Sequence, residues 1–172
     1  MSTMRAVVMD APGAPEVLRV AEVPRPTRAS AEFIVKVCAA GVNPIDAKTR
    51  AGRGVSGAIS SWPSILGNDF SGVVVESPYD AHPIKVGDEV YGMSMVPRLP
   101  GTYAEFAAVP AMSIARKPKA LSHGEAAGVP LAALTAWGAV VDVARAREGQ
   151  RVLVHAGAGG VVLVKSLRHF AV

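Results

Sequence analysis

Short apolar runs alternate with polar, glycine-rich and proline-rich breaks through roughly the first two thirds of the chain. The runs are rich in β-branched and aromatic residues and end at turn-forming residues, which is typical of strands. The predicted strands cover residues 4–9, 17–23, 32–39, 70–76, 87–92 and 102–109. Side chains in the third run alternate between two faces of the predicted strand. One face has Phe33, Val35 and Val37, and the other has Ile34, Lys36 and Cys38. Many short strands without a helix between them predict a mainly β fold, a partly open β-barrel.

The pattern changes near Leu121. Ser122 and Glu125 have the spacing of a capping box, in which each side chain bonds the other residue's backbone amide. We therefore expect a helix that stops near residues 128–130, and a second from about Leu131 to Ala146. These helices place a predicted domain boundary between residues 120 and 121, so that the domains are 1–120 and 121–172.

A glycine-rich turn follows the second helix. Residues 151–156 read as a buried parallel strand and run directly into Gly157, Ala158, Gly159 and Gly160. Such a turn lets backbone amides approach a pyrophosphate without obstruction, and a helix after it would add its dipole. Glycine turns are common, so the turn alone is a weak signal for a pyrophosphate site, and the predicted buried strand directly before it strengthens that signal. An α/β start is thus predicted after the β-rich part.

Charge and composition exclude several classes of function. Eighteen basic and fourteen acidic residues give a net charge of +4, without the basic stripe and stacking aromatics of a nucleic-acid groove. Cys38 is the only cysteine, which excludes an internal disulfide and favours a reducing compartment. The most apolar stretch, residues 126–141, is interrupted by glycine and proline and predicts a buried helical segment. We expect a cytoplasmic protein that binds neither nucleic acid nor membrane.

Six segments occur in an order and spacing that resemble the medium-chain dehydrogenase/reductase superfamily. They are Ala39–Asp46, Gly67–Val74, Gly87–Gly92, Gly101–Phe106, Pro130–Trp137 and Val152–Val161. The resemblance implies a GroES-like catalytic domain over residues 1–120, followed by linking helices and the first βα elements of a truncated Rossmann domain.

The residue types bear on the metal. Zinc-dependent members of this superfamily have a cysteine within residues 41–46 and Gly-His-Glu at residues 67–69, whereas this chain has Asn43 and Asn68 there. A catalytic zinc needs thiolate or imidazole ligands. We therefore predict no metal, expect Cys38 to be a small buried hydrophobe, and place the chain in the zinc-independent, quinone oxidoreductase-like branch.

The resemblance implies hydride transfer from NADPH to a quinone or an activated alkene or carbonyl. Asn43 would orient the nicotinamide carboxamide or the substrate, Thr135 would act similarly from a helix start, and Asp46 would fix the loop. The pyrophosphate would be held by Gly157, Ala158, Gly159, Gly160 and Val161. Lys48 stands where many members have a tyrosine.

Each of these residues also has a structural interpretation. Asn43 before a proline is a common turn former, Asp46 can be a turn or cap acceptor, and Thr135 can bond a helix carbonyl. Tyr91 and Tyr103 read as packing residues beside glycines, and either can also contribute a hydrogen-bond donor. The two histidines at positions 123 and 155 have no partner visible in the sequence and are expected to be structural.

The tail departs from the family pattern. Valine stands at position 162 where the last glycine is expected, and the sequence ends at Val172, before the residue that would select NAD or NADP. We expect this chain to bind NADPH weakly or not at all. The alternative functions are a non-catalytic, truncated GroES-like module that acts in binding only, and a small ligand-binding protein. Members of the family usually pair through the nucleotide-binding domain, so the resemblance implies a homodimer for the family and leaves self-association of this chain open.

Overall fold

The computed structural model describes residues 2–94, 101–147, 149–151, 153, 155 and 159–161. The chain divides into two compact units, the first ending at Gly128 and the second beginning at Val129. The division comes a few residues after the boundary predicted between residues 120 and 121. The assignment of the two domains to catalysis and nucleotide binding stays a prediction.

The first unit consists of two antiparallel sheets. One has the order β2-β1-β4 and the other the order β7-β3-β5-β6-β8. The strands are β1 (Thr3–Met9), β2 (Arg19–Pro24), β3 (Glu32–Ala40), β4 (Ser64–Ile65), β5 (Asp69–Glu76), β6 (Glu89–Met93), β7 (Phe106–Pro110) and β8 (Ile114–Arg116). The predicted mainly β fold is confirmed, and within the described residues the two sheets do not close into a barrel.

The predicted strands differ from the observed ones mainly at their ends. The segment predicted as a strand over residues 102–109 is one only from Phe106, because Ala104 makes an isolated bridge to Ala6 of β1 before the chain joins the second sheet. The short strands β4 and β8 were not predicted. Each has no more than three residues, which is too short for an alternating pattern to show.

Among the described residues, one α-helix and three short 3₁₀ helices (Pro15–Val17, Ser56–Ala58 and Ala111–Ser113) lie between the strands, which corrects the expectation of no helix. Helix α1 (Pro44–Arg50) begins with Asn43 in the N-cap position and Pro44 in the first turn. Both residue types are favoured at a helix start. They are equally favoured in turns, so the sequence predicts a loop where the structure has a helix of seven residues.

The hydrophobic core is a cluster of buried side chains, most of them on strands of the larger sheet. The cluster includes Phe33, Val35, Phe70, Val74 and Val90, and each of these residues is at most 1% exposed.

In β3 the predicted alternation holds only in part. Ile34 is buried as well, whereas Lys36 and Cys38 on the same face are exposed. The second face of β3 is therefore covered only in its first half, and the expected burial of Cys38 is wrong.

The helices of the second half begin where predicted. Helix α2 (His123–Ala127) has the capping box: the Ser122 amide donates to Glu125 Oε2 at 2.8 Å, and the Glu125 amide to Ser122 Oγ at 3.3 Å. The hydrogen bond from the Ser122 backbone lowers the pKa of Glu125. The helix ends at Gly128, as predicted.

The helix predicted from Leu131 to Ala146 has two parts. Helix α3 (Pro130–Trp137) continues into a π-helix, Gly138–Val143, in which Ala144 N bonds Ala139 O, five residues earlier. Three of the six residues of this segment are valines, which are unfavourable in an α-helix because of their branched side chains.

Replacing Ser122 with alanine is expected to lower the free energy of unfolding by about 1 kcal/mol, because the orphan amide of the first helical turn loses its acceptor. Urea denaturation followed by circular dichroism measures this. Ser30→Ala, at an exposed serine before β3, is the matched control and is expected to stay within about 0.5 kcal/mol of the wild type. Equal stability of the two variants would contradict a stabilising cap.

The glycine-rich segment of the second unit is described only in part. Arg151, Leu153 and His155 lie outside any strand, and Leu153 is 81% exposed, which differs from the predicted buried strand. A parallel strand is buried by its neighbours in the sheet, and no described residue pairs with this segment. Gly159 forms a bend and Gly160 and Val161 are helical, whereas Gly157, Ala158 and the tail 162–172 lie outside the described residues.

In the part of the chain that the structure describes, no helix is long and apolar enough to cross a membrane.

Candidate active site

Asp46 is the centre of a polar cluster in the first unit. The residue is buried, with only 4% of its surface exposed. The Oδ1 atom of Asp46 accepts a hydrogen bond from Asn68 Nδ2 at 2.7 Å. The Oδ2 atom accepts two hydrogen bonds, one from the backbone amide of Asn43 at 2.8 Å and one from the Tyr103 hydroxyl at 3.0 Å. A buried carboxyl group is tolerated only when hydrogen bonds replace its hydration, and these three donors do so.

The local sequence explains why Asp46 has this position. Asn43 is extended at the N-cap of α1, Pro44 occupies the first helical position, and Asp46 is the third helical residue. A carboxylate there can reach back to the N-cap amide and also interacts favourably with the positive end of the helix. The structure therefore shows Asp46 as a cap acceptor, which was one of the two interpretations of the sequence.

The side chain of Asn43 points to a second carboxylate. Asn43 Nδ2 lies 3.0 Å from Oδ2 of Asp69, the first residue of β5, which is completely buried. An unprotonated carboxylate only accepts hydrogen bonds, so the amide nitrogen of Asn43 faces Asp69. The turn before α1 is thus attached to β5 through this side chain.

Tyr103 completes the cluster from a distant part of the chain. Its hydroxyl donates to Asp46, so of the two interpretations of Tyr103, packing and hydrogen-bond donation, the structure shows the donor. Burial raises the pKa of Tyr103, and the negative charge of Asp46 and the hydrogen bond to it raise the pKa further, as does the charge of Asp69. The phenol therefore stays protonated as a donor.

Gly67 makes room for this tyrosine. Its φ is +99°, and a Cβ atom at this position would lie 2.5 Å from Cδ1 of Tyr103 and 2.3 Å from Oγ1 of Thr102. Real side chains do not approach so closely. Only glycine lets the ring lie against the backbone before Asn68 and turn its hydroxyl toward Asp46.

The structure brings some of the predicted site residues together. Asn43 and Asp46 are adjacent, but Thr135 is exposed in the last turn of α3, not at its start, and belongs to the second unit. Gly159 and Gly160 are exposed, Val161 is half-buried, and Gly157 and Ala158 lie outside the described residues.

Three members of the polar cluster were not predicted as site residues, namely Asn68, Asp69 and Tyr103. The sequence signal that could have identified two of them is the presence of polar residues next to a predicted buried strand. An amide and a carboxylate directly precede a run of residues that is otherwise apolar enough to form a buried strand. Such groups are buried only with partners.

A serine, a histidine and a glutamate also lie in a row. His123 Nδ1 is 2.7 Å from Ser71 Oγ, and its Nε2 is 3.3 Å from Glu89 Oε1. Ser71 is completely buried and its hydroxyl also lies 3.0 Å from the Val90 carbonyl oxygen. A nucleophile must be reachable by its substrate, so this row connects α2 to β5 and β6 and is structural, as expected for His123.

Comparison with known proteins identifies the family. The alcohol dehydrogenase GroES-like domain matches residues 29–119, more than half of the chain. The chain belongs to this family. The cluster around Asp46 lies entirely within the matched GroES-like region.

Curated relatives of this GroES-like chain are oxidoreductases. It is 38% identical over 146 residues to the mitochondrial NAD(P)H oxidoreductase RTN4IP1 of Danio rerio, a match over 76% of the chain and 38% of that protein. It is 39% identical over 135 residues to 2-methylene-furan-3-one reductase of Solanum lycopersicum, over 76% of the chain and 34% of that protein. The chain thus spans less than half the length of either relative.

Solved structures agree with this. The quinone oxidoreductase of Coxiella burnetii superposes with a TM-score of 0.88 at 40% identity, over 95% of the chain and 52% of that protein. A mycobacterial protein, Rv1454c, complexed with NADPH superposes with a TM-score of 0.81 at 35% identity, over 95% and 47%. The predicted place in the medium-chain dehydrogenase/reductase superfamily, among quinone oxidoreductase-like oxidoreductases, is confirmed.

The residues at the zinc positions of the superfamily are engaged otherwise. Asn43 and Asn68 each use their amide nitrogen on a buried carboxylate. Carboxamides are poor substitutes for the thiolate and imidazole ligands of zinc. Among the residues that the structure describes, no three His, Cys, Asp or Glu side chains form a group that could hold a metal. These donors do not fit a catalytic zinc, and the absence of a metal stays a prediction.

Proposed function

We propose that this chain is the substrate-side part of an NADPH-dependent reductase that transfers a hydride to a quinone or to an activated alkene or carbonyl. The observation that supports it is the difference in burial between the members of the polar cluster. Asp46, Asn68 and Asp69 are buried, whereas Asn43 is partly exposed. The buried groups hold Asn43 in place, and Asn43, like Tyr103, keeps part of its surface open to a ligand, as in a preorganised site.

The reaction class comes from the family. When bound, NADPH supplies a hydride; a quinone that accepts it together with a proton becomes a hydroquinone, and NADP⁺ remains. The chain's own residues position the reactants in this proposal. Asn43 orients the nicotinamide carboxamide or the carbonyl of the acceptor, and Asp46 fixes the turn that carries Asn43. Thr135 is proposed, from the family resemblance alone, as a further residue that orients a ligand.

The glycine-rich turn fits a pyrophosphate as far as it is described. Gly159 and Gly160 are exposed, and a Cβ atom at Gly160 would meet no atom of the described residues within 4 Å, which supports access of a ligand to the backbone. Gly160 and Val161 are helical, which orients amides in the manner of an anion site. Homodimer formation and a cytoplasmic location stay predictions from the sequence.

The test is acceptor-dependent oxidation of NADPH by the protein expressed from the complete gene that contains this chain. We expect turnover with p-benzoquinone or with methyl vinyl ketone, measured as loss of nicotinamide absorbance. Asn43→Ala is expected to lower kcat/KM at least about tenfold, because the ligand loses an oriented hydrogen-bonding group.

The control is Val42→Ala, at the exposed neighbour of Asn43, which should change kcat/KM less than twofold or so. Absence of acceptor-dependent oxidation in the wild type would contradict the proposal. Binding of either acceptor without turnover would favour the alternative of a module that acts in binding only.

A further inference from the structure

We propose that Tyr103 is a positioning residue, which fixes the ligand-facing Asn43 through Asp46. The catalytic consequence of this proposal rests on the proposed function, whereas the positioning itself does not. Tyr103 lies 57 residues beyond Asp46 in the chain, so this contact is made only by the fold.

The carboxylate oxygen that Tyr103 contacts is the one that holds Asn43. Asp46 Oδ2 accepts from the Tyr103 hydroxyl at 3.0 Å and from the Asn43 backbone amide at 2.8 Å. The other oxygen, Oδ1, is held by Asn68. Tyr103 and Asn68 thus define the plane of the Asp46 carboxylate from two sides, and that plane determines where the Asn43 amide finds its acceptor.

Tyr103 is better suited to this role than to proton donation. Its hydroxyl proton is already donated to Asp46, and burial beside Asp46 and Asp69 raises the pKa of Tyr103, which weakens it as an acid. A ring kept only for packing would not need a hydroxyl. The glycine at position 67 leaves room for the ring beside the backbone, and from there the hydroxyl reaches Asp46.

The first experiment measures the position of Asn43 without any ligand. In Tyr103→Phe the ring remains and the hydroxyl is lost. We expect the Asn43 backbone amide to exchange with deuterium about tenfold faster, and its NMR resonance to shift, because its acceptor is no longer held on the second side. Tyr91→Phe removes the hydroxyl of another half-buried tyrosine, on β6, and should leave both quantities unchanged.

A second variant covers the case in which Tyr103→Phe does not fold. Site-specific incorporation of a fluorotyrosine at position 103 keeps ring and hydroxyl and makes the phenol a stronger donor. The Asn43 amide resonance should then shift, and the same replacement at position 91 should leave it in place. An Asn43 amide that is indifferent to both changes at position 103 would overturn the proposal.

The second experiment measures catalysis. In the active protein, Tyr103→Phe is expected to lower kcat about tenfold with little change in KM, and to have no further effect when Asp46→Asn is already present. Additive losses, or an unchanged kcat, would overturn the proposal. If the wild type has no reductase activity but Asn43 exchange still responds to Tyr103, the proposed function fails and the positioning by Tyr103 stands.

Discussion

Asp46→Ala is expected to lower the free energy of unfolding by about 3 kcal/mol, because a buried acceptor is removed and its donors remain. Asn68, which is buried, loses the partner of its side-chain amide, and the amide of Asn43 and the hydroxyl of Tyr103 lose theirs. The last two are partly exposed, so water can replace part of their loss. Equilibrium urea denaturation of the full chain measures the change.

Lys48→Ala is the matched control for this substitution. Lys48 is an exposed residue of the same helix, and its replacement is expected to change the free energy of unfolding by no more than about 0.5 kcal/mol. A loss below about 1 kcal/mol for Asp46→Ala would show that the cluster does not stabilise the fold. Asp46→Ala should also lose the proposed reductase activity, since the turn that carries Asn43 is released.

Gly72→Ala, in β5 of the larger sheet, is expected to lower the free energy of unfolding by about 3 kcal/mol. A Cβ atom at this position would lie 2.1 Å from the carbonyl oxygen of Lys36 and 2.8 Å from Cγ1 of Val35. The first contact is with backbone, which no change of rotamer relieves. Strands β3 and β5 would have to separate at the centre of the core.

Gly57→Ala tests whether the cost comes from the close approach. A Cβ atom there would meet nothing within 4 Å, and its effect is expected to stay within about 0.5 kcal/mol of zero. Thermal or urea denaturation of the two variants gives the comparison. Similar stability of Gly72→Ala and Gly57→Ala would mean that the strands adjust freely, and would contradict the role given to Gly72.

Local signals account for the parts of the fold that could be predicted. The apolar run at residues 70–76 became β5, and the spacing of Ser122 and Glu125 became the start of α2. In both cases the interactions that decide the structure lie within a few residues. Helix α1 was missed for the same reason: Asn43 and Pro44 carry a local signal that a turn and a helix start share.

The candidate site could be predicted only in part. The resemblance pointed to Asn43 and Asp46, and the local sequence allowed Asp46 as a cap acceptor, but nothing in their neighbourhood shows which distant groups hold them. Asn68 is 22 residues and Tyr103 57 residues from Asp46. Hydrogen bonds between such residues depend on the register of strands in two sheets and leave no spacing that can be read along the chain.

The sequence by itself therefore determined the family, the mainly β character of the first unit and the residue types at the zinc positions. Only the tertiary structure decided that Asp46 is a shared acceptor, that Asn43 is turned toward Asp69, and that Tyr103 is a hydrogen-bond donor. The physical reason is the cost of burying polar groups. That cost requires partners for each of them, but which partners are available is set by the packing of distant segments.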